Sequence, residues 1–173
     1  MRRFVHNELT TIAEALCAVA ISAPVAFGVR GIPKADAGWW PITVLIPLSV
    51  GSAVSGVLAC TRSTRLGSEK LDLERAVPLD PETVLPTLGE PFLRSLALRF
   101  IAFLVVPTLA AALLWEPLIA LMPLALVPER LARAAYAAYW ERRHGVTLWQ
   151  GHLPDHPLRK GQHLYSSVRQ LAS

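Results

Sequence analysis

The stretch WWPITVLIPLSVGSAVSGVLAC, residues 39 to 60, contains no charged side chain. At about 1.5 Å per residue it makes a helix of roughly 33 Å, enough to cross the hydrocarbon core of a bilayer and longer than a buried core helix ordinarily needs. Two neighbours in the sequence read the same way. LTTIAEALCAVAISAPVAFGV, residues 9 to 29, is interrupted only by Glu14, and LALRFIAFLVVPTLAAALLW, residues 96 to 115, only by Arg99. Over 173 residues the chain is 53% hydrophobic and 17% charged, with mean hydropathy +0.39, an apolar content high for a soluble domain.

After Glu116-Pro117 comes LIALMPLALVP, too short to span by itself, followed by ERLARAAYAAYWERR, which is helical by composition and amphipathic. The charge distribution decides how to treat it. With the N-terminus cytoplasmic and four crossings, fifteen basic residues fall inside: Arg2, Arg3, Arg62, Arg65, Lys70, Arg75, Arg94, Arg99, Arg130, Arg133, Arg142, Arg143, Arg159, Lys160 and Arg169. Only Arg30 and Lys34 fall outside, the asymmetry of cytoplasmic loops. Trp39, Trp40 and Trp115 then mark the outer interface, and Tyr136, Tyr139 and Trp140 the inner one.

The expected fold is therefore all-α: an integral membrane protein with four transmembrane helices at 9–29, 39–60, 95–115 and 117–139. They form two hairpins joined by a polar cytoplasmic loop, 61–94. The transmembrane domain is 1–140, and 141–173 is a basic cytoplasmic tail. In the loop, Pro78, Pro81, Pro86 and Pro91 limit structure to short pieces, among them a surface helix within 64–77. In the tail, Gly, Pro and His are interleaved, which predicts loops with one short helix near the end. The N-terminal run is not a secretory signal, because Glu14 interrupts it and it continues past Ala20 to Val29. Cys17 and Cys60 lie at different depths and read as small apolar packing residues without a disulfide framework.

Glu14, Ala18, Ser22 and Ala26 are spaced by four and share one helix face, otherwise made of small residues. The second span carries two ladders of the same kind, Gly51-Ser55-Ala59 and Ser52-Gly56-Cys60. Small residues let helix backbones approach closely, so these faces are expected to pack against each other and to turn Glu14 toward protein. Arg99, four residues into the third span from the cytoplasmic side, is its expected ion-pair partner at similar depth. A snorkelling carboxylate and a station in a proton or ion relay are the other roles open to Glu14.

No chemistry-bearing motif appears: no G-x-S-x-G, H-E-x-x-H or P-loop, and no paired carboxylates within the spans. His152 and His156 have ligand spacing, but Pro154 and Pro157 break a helix across them, so neither metal nor other cofactor is expected. The sequence thus predicts a small non-enzymatic membrane protein, an accessory, assembly or interaction subunit packed against a larger membrane partner or a second copy of itself. The alternative is an oligomeric small transporter or channel using Glu14 as an intramembrane ionisable station. The bilayer is the first partner. Anionic lipids fit the basic loop and tail, whereas nucleic acid does not, since the basic residues are not organised on one element. Fourteen arginines to three lysines, with a single asparagine, resemble chains from GC-rich bacteria and point to a bacterial inner or plasma membrane with both termini cytoplasmic.

Overall fold

The computed structural model describes residues 1–31, 40–61, 69–79, 96–151, 153, 157–160 and 162–168. The outer loop 32–38, Trp39, the proline-broken part of the central loop from Pro81 to Arg94, and the His152-x-x-x-His156 pair lie outside the described residues. In chain order the elements are β1 (Arg2–Arg3), α1 (Phe4–Arg30), α2 (Trp40–Thr61), α3 (Glu69–Glu74), β2 (Val77–Pro78) and α4 (Leu98–Leu114). A 3-10 segment (Pro117–Leu126), α5 (Val127–His144), β3 (Val146–Gln150) and β4 (Tyr165–Val168) complete the chain.

The protein is mostly helical, and two helices, α1 and α2, are long and apolar enough to cross a membrane. The remaining apolar sequence is organised differently from the two full-length helices expected there. Helix α4 has only 17 residues, about 25 Å. The region expected as one α-helix at 117–139 is a ten-residue 3-10 helix running directly into α5. Pro117 starts that segment and Pro123 lies inside it, where proline lacks the N–H of an α-helical bond and its ring crowds the carbonyl four residues back. The tighter winding lengthens the chain, since 3-10 geometry rises about 2.0 Å per residue. Pro117–Leu126 therefore covers about 20 Å, and the next seven residues of α5 bring the length to about 30 Å.

The fourth element is the centre of the bundle. α1 packs against the 3-10 segment, α4 and α5; α2 packs against α5 and the 3-10 segment; α4 packs against α1 and the 3-10 segment. The expected contact between the small-residue faces of α1 and α2 is not how the helices meet, and among the described residues these two share no substantial interface. Glu14, Ala18, Ser22 and Ala26 are all buried, Ala26 in an outer-half core with Ala112, Ile119 and Ala120. On α2, the Ser52-Gly56-Cys60 ladder faces α5. A Cβ on Gly56 would lie 3.0 Å from the Ala132 Cβ and from the Glu129 Cα and carbonyl oxygen, so the two backbones meet there. The Glu129 N–H donates to Ser52 Oγ at 3.2 Å. The other ladder points away: Gly51 has nothing within 4 Å of a Cβ position, and Ser55 is exposed.

At the opposite end from Trp115, four short strands form one sheet in the order β1-β3-β4-β2. β3 is antiparallel to both β1 (Arg3 opposite Trp149) and β4 (Trp149 opposite Tyr165), while β2 and β4 run parallel (Val77 opposite Tyr165). The tail expected as loops with one short helix thus supplies two strands. Gly145 ends α5 in the left-handed region (φ 66°), with its N–H on the Glu141 carbonyl, and the chain then turns into VTLWQ, a β-branched and aromatic run. Beneath the sheet, Phe4, Leu73, Ala137, Leu148 and Leu164 form a second core, joined by Tyr136 and Trp140. Leu73 and Val77–Pro78, from the segment between α2 and α4, thus share one core and one sheet with residues 146–150 and 164–168.

Candidate functional site: buried carboxylates at the inner end of the bundle

Glu14 is 5% exposed, and its carboxylate accepts a hydrogen bond from the backbone N–H of Ala97 at 2.6 Å. Ala97 is the residue at which α4 begins; it has no side-chain cap, and Phe100 and Ile101 donate to its carbonyl. The first N–H groups of any helix lack intrahelical acceptors, and in a bilayer no water is present to satisfy them. The start of α4 thus lies beside Glu14. A carboxylate there supplies an acceptor and a negative charge to the positive end of the helix dipole.

Arg99 does not take part. Its side chain is exposed in the first turn of α4, and among the described residues no ion pair joins it to Glu14. Of the fallback partners for Glu14, Arg94 and Arg130, the first lies outside the described residues and the second pairs with a different carboxylate. Glu8, buried less than two turns before Glu14, receives both bonds from Arg130 Nη1, at 3.1 and 3.3 Å. Arg130 is about 26 Å along the fourth element from Pro117, and Glu8 about 33 Å along α1 from Arg30, so the pair joins corresponding heights of the two elements. Arg133 pairs with Glu129 at 2.8 Å within α5.

Glu141, 2% exposed, is the third buried carboxylate. It accepts the Leu148 N–H at 3.0 Å and both guanidinium bonds of Arg3, one of them from Nε at 3.3 Å. One side chain thereby ties the end of α5 to β3 and to β1. The bond to Glu141 raises the pKa of Arg3 above its ordinary value, against the opposing effect of partial burial. At the other end of the bundle, Arg30 Nε donates to the Leu113 carbonyl at 2.7 Å and closes the last turn of α4.

The histidines do not converge. His144 stacks on Trp140 with ring centroids 4.0 Å apart, His163 is exposed, and among the described residues no group of three His, Cys, Asp or Glu is placed to hold a metal ion. Cys17 and Cys60 are free thiols. Of the small residues, Ala18 and Ser22 line the α1 core, Ser52 and Gly56 meet α5, and Gly51 and Ser55 face outward. Ser22 Oγ is buried without a hydrogen-bond partner.

A sequence signal for Glu8 and Arg130 existed, since each lies at the polar margin of a long apolar run. Choosing between Arg99 and Arg130 as a carboxylate's partner required the depth of α4, which its sequence does not encode locally. Compared with family models, with curated proteins and with solved structures, the chain matches none.

Proposed function

We propose that the chain is a small non-enzymatic protein of a cell membrane, crossing it four times with both termini cytoplasmic, and that it serves as an accessory or assembly subunit of a larger membrane complex. The sheet supports the topology by parity. β1 precedes α1, β2 lies between α2 and α4, and β3 follows α5, yet all belong to one sheet and so to one side of a membrane. Chain between any two of them must cross an even number of times. With α1 and α2 as one pair, α4 and the 3-10/α5 element form the other. The tryptophans at 40 and 115 and the single arginine at 30 mark the far side.

The observation that carries the accessory role is α2. It packs on one side only, and its outward face combines exposed aliphatic residues such as Val50, Val54 and Val57 with the open Gly51-Ser55 ladder. Small residues and hydroxyls at that depth suit a helix of another protein better than lipid tails alone. The polar groups deeper in the bundle point the same way, since Glu14 and Ser52 are engaged with backbone N–H groups. Purification in mild detergent tests the reading. A stable membrane protein partner or a homo-oligomer should co-purify, and Gly51→Leu with Ser55→Leu should release it without lowering the abundance of the chain. A monomer purified alone refutes it.

Ser22 favours a second reading, an oligomeric transporter or channel, because its unpartnered hydroxyl lies in the bundle interior on the same face as Glu14. Glu14→Gln with unchanged abundance and altered ion flux in vesicles would select that reading over the packing role.

A further inference from the structure

We infer that the inner ends of α4 and α5 are seats for anionic glycerophospholipids, with acyl chains along the apolar outer stripe of α4 and the phosphate on Arg99 and on Arg142 with Arg143. The inference rests on the membrane-embedded reading above and is independent of any protein partner.

Charge compensation is the first argument. The carboxylates buried at this end are satisfied internally: Glu8 by Arg130, Glu141 by Arg3 and Leu148, Glu14 by Ala97. Glu129 is matched by Arg133 and Glu74 by Lys70. Arg99, Arg142 and Arg143 are exposed and, among the described residues, none has an acidic partner. Among the described residues nothing neutralises them, and their guanidinium groups face outward.

Placement is the second argument. On α4 the exposed stripe runs Val106, Phe103, Ala102 to Arg99, with Phe103 70% exposed. On α5 it runs Leu131, Ala135, Tyr139 to Arg142 and Arg143. The α4 stripe passes from apolar to basic toward the inner boundary, the order of polarity along a phospholipid, while the α5 stripe begins at that boundary and carries its arginines at headgroup level. By rise, Tyr139 is about 10 Å beyond the hydrocarbon edge, at headgroup level, and Arg99 is close enough to that edge to reach it by snorkelling. Arg143 is also held in place: Nη1 donates to the Tyr139 hydroxyl at 2.8 Å, and the guanidinium lies 6.0 Å from that ring's centroid. Its remaining N–H donors stay available for a phosphate.

Native mass spectrometry of the full chain, in micelles with equal phosphatidylglycerol and phosphatidylcholine, provides the test. Phosphatidylglycerol should be retained preferentially, and the preference should fall about five-fold for each arginine changed in Arg99→Gln and Arg142→Gln/Arg143→Gln. These side chains are exposed, so unchanged thermal unfolding of the variants separates lost lipid from lost fold. Inorganic phosphate at millimolar concentration should not displace the lipid. Three results would overturn the inference: equal retention of both lipids, a preference untouched in the triple variant, or a preference lost instead in Arg159→Gln/Lys160→Gln. A protein removed from membranes by alkaline carbonate would refute the embedded reading itself. Absence of a co-purifying partner would bear only on the accessory role.

Discussion

Replacing Glu14 separates a helix cap from an ion pair. In the membrane placement proposed above, Glu14→Leu leaves the Ala97 N–H without its acceptor and without water to replace it. A donor stranded in this way costs about 1–3 kcal/mol. Glu14→Gln keeps an oxygen where the Ala97 N–H needs one and removes only the charge. Charge-assisted bonds are roughly twice as strong as neutral ones, so the cost should be about 1 kcal/mol. Arg99→Gln, at an exposed site, should change stability by about 0.5 kcal/mol or less. Reversible unfolding of the purified protein in mixed micelles, titrated with a denaturing detergent, gives all three values, and the Glu14→Gln/Arg99→Gln double variant closes a thermodynamic cycle. The two sites should be additive to within about 0.5 kcal/mol. A coupling above about 1 kcal/mol would restore Arg99 as the partner, and equal losses for Gln and Leu would show that the Ala97 bond contributes nothing.

Three further outcomes are expected. Gly56→Ala should destabilise the bundle by about 1 kcal/mol or more, because backbone at 3.0 Å must give way; Gly51→Ala, into open space, should gain about 0.5–1 kcal/mol of helix propensity, and shifts of the same sign in thermal unfolding would remove the α2–α5 contact. Arg3→Ala strands the buried Glu141 charge and should cost about 1–3 kcal/mol, the lower figure allowing for the partial exposure of Arg3; Arg3→Ala/Glu141→Gln should cost less than Arg3→Ala alone in the same titration. Reporter fusions at Lys34 and Glu116 should read outside and those at Arg75 and Ser173 inside, and an outside signal at Ser173 would contradict a sheet shared by β1, β2 and β3.

Much of the helical architecture is legible because a single driving force, the removal of apolar side chains from water, outweighs the others and leaves its mark as long uncharged runs such as 40–60. The Glu14-Ala18-Ser22-Ala26 face is legible for a related reason, as a periodicity within one segment. What meets that face is not, because small residues fit any close neighbour equally well. α2 meets α5 through Ser52 and Gly56, a choice made by the depth at which Glu129 and Ala132 arrive after the 3-10 segment. That segment stayed hidden because the prolines at 117 and 123 signal a break without specifying the winding adopted. The sheet was hidden more deeply. β1 and β2 have two residues each, too few for any alternation to register, and their pairing partners lie far away in sequence.

A sheet that joins Arg2–Arg3 to Val146–Gln150 also orders events in the life of the chain. A ribosome delivers β1 first, and its partner strand emerges only after every helix has been made. Until then Arg3 has no Glu141, and the carboxylate of Glu8 waits for Arg130. A chain in which these elements have not yet met therefore displays unpaired charges and open strand edges, the surface on which chaperones and proteases act. Closing the sheet withdraws those signals together, so its late strands report that the helices between them have been made and have met.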